Sequence, residues 1–527
     1  MRDHNSLSIV MGDVYTSFLV DIHQFHHIDV TAEVRRVRQI LHTSGTQGLL
    51  RFLQKHHLVL MGFFKHGLVK SADVRADASG YPVFLNALWH GLHSEDAVLC
   101  AADLRQATSL LRKWAEEDVS AEDAITAFKS RMSIRKDACY SLVDRISAHL
   151  WRIIGNDDYS IDESWPAVTS GARAERTPIL QRIDLLQWVP HPEVLRRDGF
   201  TICGWGRKRQ NRLVAVPKDW SKPRLVFAEP TPSMNLQQML RLWLESKVRC
   251  HSDRISFDDQ DKQRERLRRA NSASIDLTDA SDHLTSAVIW RFFRKYPVLR
   301  SALFWARSQS TMVGDEPVTL KCFGTMGNAT TFPVMSIFLA CLACEAEKHC
   351  RQYAQYAAYR STVFGDDIVC DDVIAGTVLE MLRDVGLVPN GAKTFIATRF
   401  RESCGLDLFD EVDITPIYVK RVVPTCAADA GRLLDYSNAA HKRGYWHLAD
   451  RLAQLIGRPL SVNVDEWSLM SFSRGINPIA CYWDCDTQRW VSRLAPRSKN
   501  RVASRDSHLD LAYALFHGHR ITEARKS

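Results

Sequence analysis

Two neighbouring carboxylates, Asp366 and Asp367, are the residues of this chain best suited to chemistry. Apolar and β-branched residues flank a Gly-Asp turn at 362–364 and 368–369, which predicts a β-hairpin with both acids at its tip. Two acids in a tight, buried turn need a compensating positive charge. Magnesium or manganese can supply that charge, because these cations prefer oxygen ligands. The alternative interpretation is a solvated surface turn, in which Gly-Asp is common.

A second acidic segment, Ser274–Asp282, precedes the hairpin in the chain. Asp276 interrupts a short apolar strand near its carboxyl end, and a helix is predicted to begin at about Ser281. Asp282 has a second interpretation, because an acid there also complements the dipole of the helix N-terminus. Acids on two strands can hold two cations about 4 Å apart, which stabilises the attacking and the leaving oxygen in phosphoryl transfer.

Two further segments carry polar groups that such chemistry needs. The segment Lys321–Phe332 contains Gly327 and Asn328, so the backbone can approach a ligand closely and an amide is available for hydrogen bonds. A helix is predicted to follow from about Pro333 to His349. Downstream lies Lys393, for which the ordinary interpretation is a solvated surface lysine.

A basic segment between 213 and 227 alternates apolar and polar residues around a Pro-containing bend. This pattern predicts a two-stranded ribbon with Lys218, Lys222 and Arg224 near the bend. The whole chain of 527 residues has a formal net charge of +8. A modest positive excess fits a polyanionic partner, because basic patches attract phosphate backbones.

The elements that must position these residues follow from periodicity and turn signals. Residues 1–155 are predicted to be mostly helical, and residues 156–178 form a polar, turn-rich break. Residues 254–270 are charge-rich and predicted helical, and residues 271–420 alternate short strands with helices, which indicates an α+β fold. The last hundred residues are predicted to be helical and irregular. They end in a basic stretch that fits RNA contact or a solvated surface equally well: Arg489, Arg493, Arg497, Lys499, Arg501 and Arg505.

Several protein classes are disfavoured by composition. No secretory signal is evident at the start, and the longest apolar runs are too short to span a bilayer. The thirteen cysteines form no disulfide framework, which favours reduced thiols in a cytoplasm. Cys341 and Cys344 lie in an apolar helical pattern and are predicted to be core residues rather than zinc ligands.

In this order, these elements resemble the conserved motifs of RNA-dependent RNA polymerases. The similarity is greatest to the replicase (beta) subunit of single-stranded RNA bacteriophages, the levivirus group. It covers about residues 214–424, and residues 1–200 match far more loosely. The segments that carry it are Ile275-Asp-Leu-Thr-Asp-Ala-Ser-Asp282, Met326-Gly-Asn-Ala-Thr-Thr-Phe332, Phe364-Gly-Asp-Asp-Ile368, Lys393-Thr-Phe395, Phe400-Arg-Glu-Ser-Cys-Gly405 and Val412-Asp-Ile-Thr-Pro-Ile-Tyr-Val-Lys420.

The resemblance implies a right-hand polymerase with fingers, a palm whose antiparallel sheet packs on helices, and a helical thumb. Residues 1–205 would be a mostly helical N-terminal region that contributes to the fingers. Residues 206–270 would be a basic fingers segment, residues 271–424 the palm with the catalytic motifs, and residues 425–527 the thumb with the basic C-terminal region. The implied reaction is RNA-directed RNA synthesis in phage genome replication, without a primer.

The resemblance also implies roles for single residues. Asp276, Asp366 and Asp367 are similar to the acids that bind two Mg²⁺ ions, with Mn²⁺ as an alternative. Lys393 resembles the lysine that protonates the leaving pyrophosphate. The remaining matches concern substrate binding, with Lys218, Lys222 and Arg224 holding the triphosphate, Gly327 positioning template and nucleotide, and Asp282 and Asn328 recognising the ribose 2′-hydroxyl.

The chain departs from the family pattern at several positions. Phe364 stands where tyrosine is usual, and Gly324-Thr325 stands where a serine is common. Asp279 replaces a small residue and is expected either to sharpen metal binding or to point to solvent. Ser281 competes with Asp282 for the ribose contact. Glu229 lies in a segment similar to relatives, and its alternative role is a salt bridge to the basic residues of the ribbon.

The implied partners are template and product RNA and nucleoside triphosphates, in the cytoplasm of a bacterial host. Replicases of this family recruit host elongation factors Tu and Ts and a small-subunit ribosomal protein, and no residue here demonstrates that recruitment. Three other functions remain open: a reverse transcriptase, an inactive RNA-binding protein on a polymerase scaffold, and a metal-dependent nucleotidyl cyclase. Deoxynucleotide use goes with a bulky aromatic residue near the ribose, where this chain has Ser281 or Asp282.

Overall fold

The computed structural model has the predicted α+β architecture. It describes these residues: 4–67, 73–114, 120–134, 137–160, 172–176, 210–354, 360–423, 427–456, 481–484 and 489–492. None of the described helices is both long and apolar enough to cross a membrane. The boundaries of the four predicted regions remain predictions, because residues near 205 and 424–426 lie outside the described residues.

The first 155 residues are helical where they are described, as predicted from their apolar periodicity. The helices are α1 (His4–His26), α2 (Thr31–His66), α3 (Asn86–Gly91), α4 (Ala97–Ser109), α5 (Glu122–Ser133), α6 (Tyr140–Ser147) and α7 (Trp151–Ile154). The apolar stripe that contains Leu104 and Leu111 is buried, and so is the stripe that contains Leu142 and Ile146. Both stripes are therefore packing surfaces, which leaves the chemistry to later parts of the chain.

Strands and helices alternate in the central part of the chain. In chain order they are β1 (Gln210–Pro217), β2 (Pro223–Ala228), α8 (Thr231–His251), α9 (Asp261–Leu267), β3 (Ser272–Ile275), α10 (Ala280–His283), α11 (Ser286–Phe292), α12 (Pro297–Ala306), β4 (Ser310–Val313), β5 (Glu316–Thr319), α13 (Thr331–Ala354), β6 (Thr362–Phe364), β7 (Asp367–Asp371) and α14 (Asp372–Asp384). The side chain of Asp371 accepts a hydrogen bond from the Val373 N–H and thereby caps α14.

The last described elements are short strands and two helices. They are β8 (Phe400–Ser403), β9 (Leu406–Phe409), β10 (Val412–Asp413), α15 (Ala427–Lys442), α16 (Trp446–Gln454), β11 (Cys481–Asp484) and β12 (Arg489–Ser492). The antiparallel pair β11–β12 corrects the prediction that this region has only helical and irregular structure. Most of the basic C-terminal stretch, from Arg493 to Arg505, lies outside the described residues.

Four sheets are present among the described residues. Their strand orders are β2-β1-β4-β5, β3-β7-β6, β10-β9-β8 and β11-β12. The predicted ribbon is confirmed, because β1 and β2 pair antiparallel from Arg212 with Ala228 to Pro217 with Pro223. The predicted hairpin is confirmed as well, because β6 and β7 pair antiparallel and leave Gly365 and Asp366 at the tip.

Two predicted helices differ from the structure. The helix expected from about Ser281 is interrupted at Leu284 and Thr285, so α10 has four residues and α11 is a separate helix capped by the Thr285 hydroxyl. Within residues 254–270 only Asp261–Leu267 is helical. A charge-rich sequence is typical of an exposed helix. The residues before α9 instead form a β-bridge between Ile255 and Val363, which limits the length of the helix.

The apolar residues form two large cores. The first packs α6, α8, α11, α13 and α14 around the β3-β7-β6 sheet, and Cys341 and Cys344 are buried in it as predicted. The second core joins α1, α2 and α4 from the start of the chain to β8, β9, α15 and α16 near its end. The short strands that carry the acids therefore rest on a rigid apolar support.

Candidate active site

The tip of the β6–β7 hairpin is fixed by its contacts with the start of α13. Gly365 has a φ of +65°, and a Cβ added there would lie 2.7 Å from the Phe332 ring. The Gly365 N–H donates to Ser336 Oγ at 3.1 Å, and Phe364 meets Phe332 edge-on at 5.2 Å between ring centroids. The phenylalanine that replaces the usual tyrosine therefore packs against the helix and holds Asp366 in place.

Strand β3 brings Asp276 to the same end of the sheet as the hairpin acids. It pairs antiparallel with β7, and the last register pair is Ile275 with Ile368. Asp276 directly follows Ile275 at the end of β3, and Asp367 directly precedes Ile368 in β7. These two acids therefore come together at the sheet end. Strand pairing thus brings together two acids that are distant in the chain.

The electrostatics of the three acids show that they share one environment. Burial raises the pKa of Asp276, and the charge of Asp366 adds to that rise while Lys393 opposes it. Burial and the charges of Asp366 and Asp276 raise the pKa of Asp367 to about 7. The Cys404 N–H and thiol both donate to Asp367 Oδ2, at 3.2 and 3.4 Å. The cluster is therefore short of positive charge.

Lys393 reaches the acids through the segment that precedes it. The Thr278 N–H donates to the Val388 carbonyl at 2.9 Å. The Asn390 N–H donates to the Asp276 carbonyl at 2.8 Å, and Asn390 Nδ2 donates to Asp276 Oδ2 at 2.7 Å. Lys393 Nζ then lies 3.8 Å from Asp276 Oδ2. The lysine is thus placed at the acids and is not the isolated surface residue of the ordinary interpretation.

The charge state of Lys393 is set by the surrounding carboxylates. Burial works to lower its pKa, but the charges of Glu402, Asp276 and Asp367 outweigh that effect, and the pKa is raised. The ammonium is therefore protonated near neutral pH, which is the form that can donate a proton.

The donor set of the acid cluster fits a divalent cation that also binds a substrate. Carboxylate oxygens suit Mg²⁺ or Mn²⁺, and the raised pKa of Asp367 shows that added positive charge would be favourable. Among the described residues, no three His, Cys, Asp or Glu side chains are close enough to hold a metal ion by themselves. At phosphoryl-transfer sites, one or two carboxylates share Mg²⁺ with substrate phosphates.

The basic residues of the ribbon lie near the same place. Partial burial and then the charges of Arg224, Lys222 and Lys393 lower the pKa of Lys218. Lys222 and Arg224 are exposed at the bend between β1 and β2. These four cations therefore lie close enough to influence one another's charge, and such a group attracts an anionic substrate.

The Gly327 loop packs tightly against the ribbon. Gly327 has a φ of +120°, and a Cβ there would lie 2.2 Å from the Phe227 carbonyl oxygen. The Phe227 N–H donates to the Met326 carbonyl at 2.7 Å. Asn328 is buried, and its Oδ1 accepts from the N–H and hydroxyl of Thr330. Its Nδ2 has no hydrogen-bond partner among the described residues, so one buried donor is left unsatisfied.

Asp282 has a partner that the sequence did not indicate. Arg131 of α5 donates to Asp282 Oδ2 from Nε at 3.0 Å and approaches it with Nη2 at 2.9 Å. The same guanidinium approaches Asp279 Oδ2 at 3.3 Å. The side chain of Asp279 is half exposed and paired with Arg131. Ser281 is half-buried beside them.

The hydrogen-bond partners of Glu229 are not the ribbon cations that the alternative interpretation expected. Its carboxylate is buried and accepts from Asn211 Nδ2 at 3.1 Å and from Ser308 Oγ at 2.5 Å. Burial raises its pKa, and the hydrogen bonds from Ser308, Asn211 and Gln237 oppose that rise. Asn211 also donates to Thr325 Oγ1 at 3.2 Å, so Glu229 supports the Gly327 loop.

Sequence reasoning assigned no role to four residues that shape this site: Arg131, Asn390, Glu402 and Cys404. Glu402 and Cys404 lie inside the motif segment Phe400–Gly405, and Asn390 lies three residues before Lys393, so their positions offered a signal. Arg131 lies 151 residues before Asp282, and no local pattern connects the two.

Comparison with known proteins agrees with this geometry. Residues 200–435 match the protein family described as RNA replicase, beta-chain. The predicted resemblance to phage replicases is confirmed over these residues. The RNA-directed RNA polymerase beta chain of Escherichia phage MS2 is 32% identical over 259 residues, which cover 48% of this chain and 44% of the phage protein. The beta chain of Enterobacteria phage fr is 31% identical over 257 residues, with the same two shares.

The match therefore spans less than half the length of these replicase relatives. The fold extends further than the sequence match. The in situ structure of the BmCPV RNA-dependent RNA polymerase at elongation state superposes with a TM-score of 0.51 and 11% sequence identity. The superposition covers 87% of this chain and 50% of that one. The chain accordingly has the right-hand fold of viral RNA-dependent RNA polymerases, as predicted.

Proposed function

We propose that this chain is an RNA-directed RNA polymerase that replicates the genome of a positive-strand RNA phage. The proposal rests mainly on one observation: three acids lie close to Lys393 at one end of the sheet, and they are Asp276, Asp366 and Asp367. The match of residues 200–435 to replicase beta chains supports it. In the proposed reaction, the 3′-hydroxyl of the growing strand attacks the α-phosphate of a nucleoside triphosphate, and pyrophosphate leaves.

Each acid has a defined part in this mechanism. Asp276 and Asp366 are the proposed ligands of two Mg²⁺ ions, with Mn²⁺ as an alternative, and Asp367 supports them from the adjacent position. When bound, such ions lower the pKa of the attacking hydroxyl and neutralise the triphosphate. Cys404 orients Asp367 through its N–H, and Asn390 orients Asp276 through its amide, so both carboxylates are preorganised.

Lys393 is the proposed general acid for the leaving pyrophosphate. Its Nζ is close to Asp276, and its raised pKa keeps the proton available until the leaving oxygen develops charge. Lys218, Lys222 and Arg224 are proposed to hold the triphosphate by charge. Their shared electrostatic environment with Lys393 supports this role.

Substrate selection is assigned to the Gly327 loop and the α10 segment. Asn328, with its free Nδ2 donor, and Asp282, held by Arg131, are proposed to recognise the ribose 2′-hydroxyl. Gly327 allows the loop to approach template and nucleotide closely. Template binding is expected to depend on phosphate contacts and shape, with sequence choice left to base pairing.

The finer features of the function follow the family resemblance. Initiation is proposed to need no primer. Template and product RNA and nucleoside triphosphates are the proposed partners, and host elongation factors Tu and Ts and a small-subunit ribosomal protein are further candidates. The proposed location is the cytoplasm of the bacterial host.

An incorporation assay tests the proposal. Purified chain, single-stranded RNA, Mg²⁺ and labelled ATP, UTP, GTP and CTP are expected to give primer-independent RNA synthesis, with and without a bacterial lysate fraction that supplies host proteins. Asp366→Asn is expected to reduce incorporation by at least ~100-fold, because one carboxylate charge at the ion site is lost, while RNA binding persists. Asp157→Asn is the matched control, because its side chain is 79% exposed and far from the acids in the chain.

Different results separate the alternatives. Full activity of Asp366→Asn would refute the assignment of that residue. RNA binding without incorporation by the unmodified chain under all these conditions would favour the inactive RNA-binding protein. Incorporation of dATP in preference to ATP would favour a reverse transcriptase.

A further inference from the structure

A shallow aromatic pocket lies outside the acid cluster. Its volume is about 390 Å³, which is within the range of roughly 300–1,000 Å³ typical of small-ligand sites. It is lined by Tyr140, Ser286, Ala287, Trp290, Arg291 and Phe304. The pocket thus lies between α6, α11 and α12, on the helix that follows the Asp276–Asp282 motif.

The aromatic walls of this pocket are partly open to solvent. Trp290 is 44% exposed and Tyr140 is 42% exposed. Phe304 meets Trp290 edge-on at 4.8 Å between ring centroids, so the indole is held in a fixed orientation. Trp290 is thus a large aromatic side chain that is rigidly packed and still exposed. Such a ring is suited to stacking with a nucleobase.

Arginines surround these rings. The Arg300 guanidinium carbon lies 4.2 Å from the centre of the Trp290 ring, and that of Arg291 lies 5.6 Å from the Tyr140 ring. Asp144 pairs with both Arg291 and Arg294, so one carboxylate is shared by two cations. The positive charge at this pocket is therefore only partly neutralised.

The chain segment that forms most of the pocket is basic throughout. Between His283 and Gly314 it contains five basic and no acidic residues: Arg291, Arg294, Lys295, Arg300 and Arg307. Arg307 is buried and donates to backbone carbonyls of Leu320, Cys322 and Phe323, which leaves four cations on α11, α12 and the turn between them. This excess is complementary to a polyanion.

We propose that the pocket formed by Tyr140, Trp290 and Phe304 binds a nucleobase of single-stranded RNA outside the catalytic cleft. The base stacks on Trp290, and the neighbouring arginines contact the phosphates on either side of it. Exposed aromatic rings interleaved with cations are the arrangement by which proteins hold single strands without sequence preference. This inference rests on the proposed RNA polymerase function for the source of the strand.

Site-specific photocrosslinking tests the inference. Single-stranded RNA that carries 5-iodouridine is irradiated with the full chain in its Asp366→Asn form, which keeps the strand from being extended. Crosslinked peptides are then identified by mass spectrometry. We expect a crosslink in the peptides that contain Tyr140 or Trp290, and we expect increased salt to weaken it, because phosphate contacts release counterions.

Matched variants show whether the crosslink depends on stacking. Trp290→Ala is expected to lower the crosslink yield at Tyr140 and the affinity for the RNA at this site by about 5-fold or more, and Trp290→Phe is expected to retain most of it. Trp151→Ala is the control, because Trp151 is 50% exposed with Arg152 over its ring but does not line the pocket. Thermal unfolding of each variant verifies that it is folded.

The possible outcomes are distinct. Crosslinks confined to other peptides, or a yield at Tyr140 that Trp290→Ala leaves unchanged in a folded variant, would overturn the inference. Loss of a co-purifying protein from Trp290→Ala with RNA crosslinking unchanged would also overturn it in favour of a protein partner. If the unmodified chain incorporates no nucleotide but the pocket crosslink is present and depends on Trp290, the proposed polymerase function fails and the RNA-binding pocket stands.

Discussion

At the scale of single residues, Lys393 shows how a site is tuned by opposing effects. Burial favours the neutral amine, whereas the charges of Glu402, Asp276 and Asp367 favour the ammonium and outweigh burial. The same three carboxylates would lose a compensating charge if the lysine were removed. The side chain is therefore expected to affect the reaction step more than substrate binding.

Lys393→Ala is expected to slow nucleotide incorporation by roughly 100-fold, within the range of general acid catalysis. The loss of triphosphate affinity should be smaller, because Lys218, Lys222 and Arg224 remain. Single-turnover kinetics measure the two effects separately. Lys262→Ala, at an exposed position of α9, serves as the control, and unchanged turnover in Lys393→Ala would remove its role as an acid.

Arg131 gives a second prediction at this scale. It holds Asp282 through two contacts and also pairs with Asp279. Arg131→Ala is expected to remove two contacts that hold the Asp282 carboxylate and to reduce discrimination between ATP and dATP, with a smaller effect on incorporation of ATP itself. The ratio of kcat/KM for the two nucleotides is the measurement. A ratio equal to that of the unmodified chain would show that Asp282 needs no such support, and would leave Ser281 as the alternative ribose contact.

At the scale of elements, the buried carboxylate of Glu229 joins the end of the ribbon to the Gly327 loop. Glu229 and Thr325 share Asn211 as a donor, and Gln237 accepts from the Ala329 N–H at 3.1 Å. The loop is thus held by side chains from β1 and α8. Small displacements of such a loop matter, because misplacement of substrate by about 1 Å can reduce rates by roughly 100-fold.

Glu229→Ala is expected to remove one of the two acceptors of Asn211 Nδ2 and the acceptor of the Ser308 hydroxyl, at a cost of roughly 1–3 kcal/mol for each buried group. Activity should fall through loss of loop position, and Glu229→Gln should recover part of it because one amide oxygen still accepts. Steady-state kinetics together with urea unfolding distinguish the two effects. Equal activity of Glu229→Ala and the unmodified chain would show that the loop holds its position without this carboxylate.

At the scale of the whole molecule, the beginning and the end of the chain share one core. Arg105 of α4 is fully buried and donates to Asp407 of β9 at 2.7 Å. His57 of α2 lies 3.1 Å from the same guanidinium. The helices of the first hundred residues therefore support the strands that follow Lys393 in the chain.

Arg105→Ala is expected to destabilise the protein by about 3–5 kcal/mol, because it leaves the buried Asp407 charge without its partner. Urea unfolding monitored by circular dichroism measures the change. Asp407→Asn in the same background should recover part of the stability, since the unpaired charge is then removed. A change below about 1 kcal/mol would contradict the view that this ion pair ties α4 to β9.

The same core contains a histidine that makes stability depend on pH. Burial lowers the pKa of His56 from 6.5 to about 4, and its ring lies 4.3 Å from that of Phe52 and 5.2 Å from that of Phe84. Between these two pH values the unfolded chain binds the proton and the folded chain does not, so stability falls as the pH falls through this window. His56→Phe should reduce that loss by up to about 3 kcal/mol, measured as the difference between the two proteins in thermal unfolding at pH 6.5 and pH 4.

The sequence alone determined the local elements of the site. Alternating residues around Gly365 predicted the hairpin, the basic ribbon followed from its own alternation, and the order of the motifs indicated the resemblance to phage replicases that the comparison confirmed over residues 200–435. These features depend on neighbouring residues or on the order of motifs along the chain, so they can be predicted from a single sequence. Hairpin geometry and turn preference depend on neighbouring residues alone.

Only the tertiary structure decided which side chains meet. Two of these contacts join residues more than a hundred positions apart in the chain: Asp282 with Arg131, and Arg105 with Asp407. A third contact acts through an intermediate side chain, because Glu229 supports Thr325 through Asn211. At the break between α10 and α11, the Leu284 carbonyl likewise accepts from the Phe323 N–H, a contact between residues that are distant in the chain. Such contacts depend on how the packed elements are oriented. The hydrophobic effect that drives burial is non-directional, so the sequence pattern of buried residues does not determine which side chains become partners.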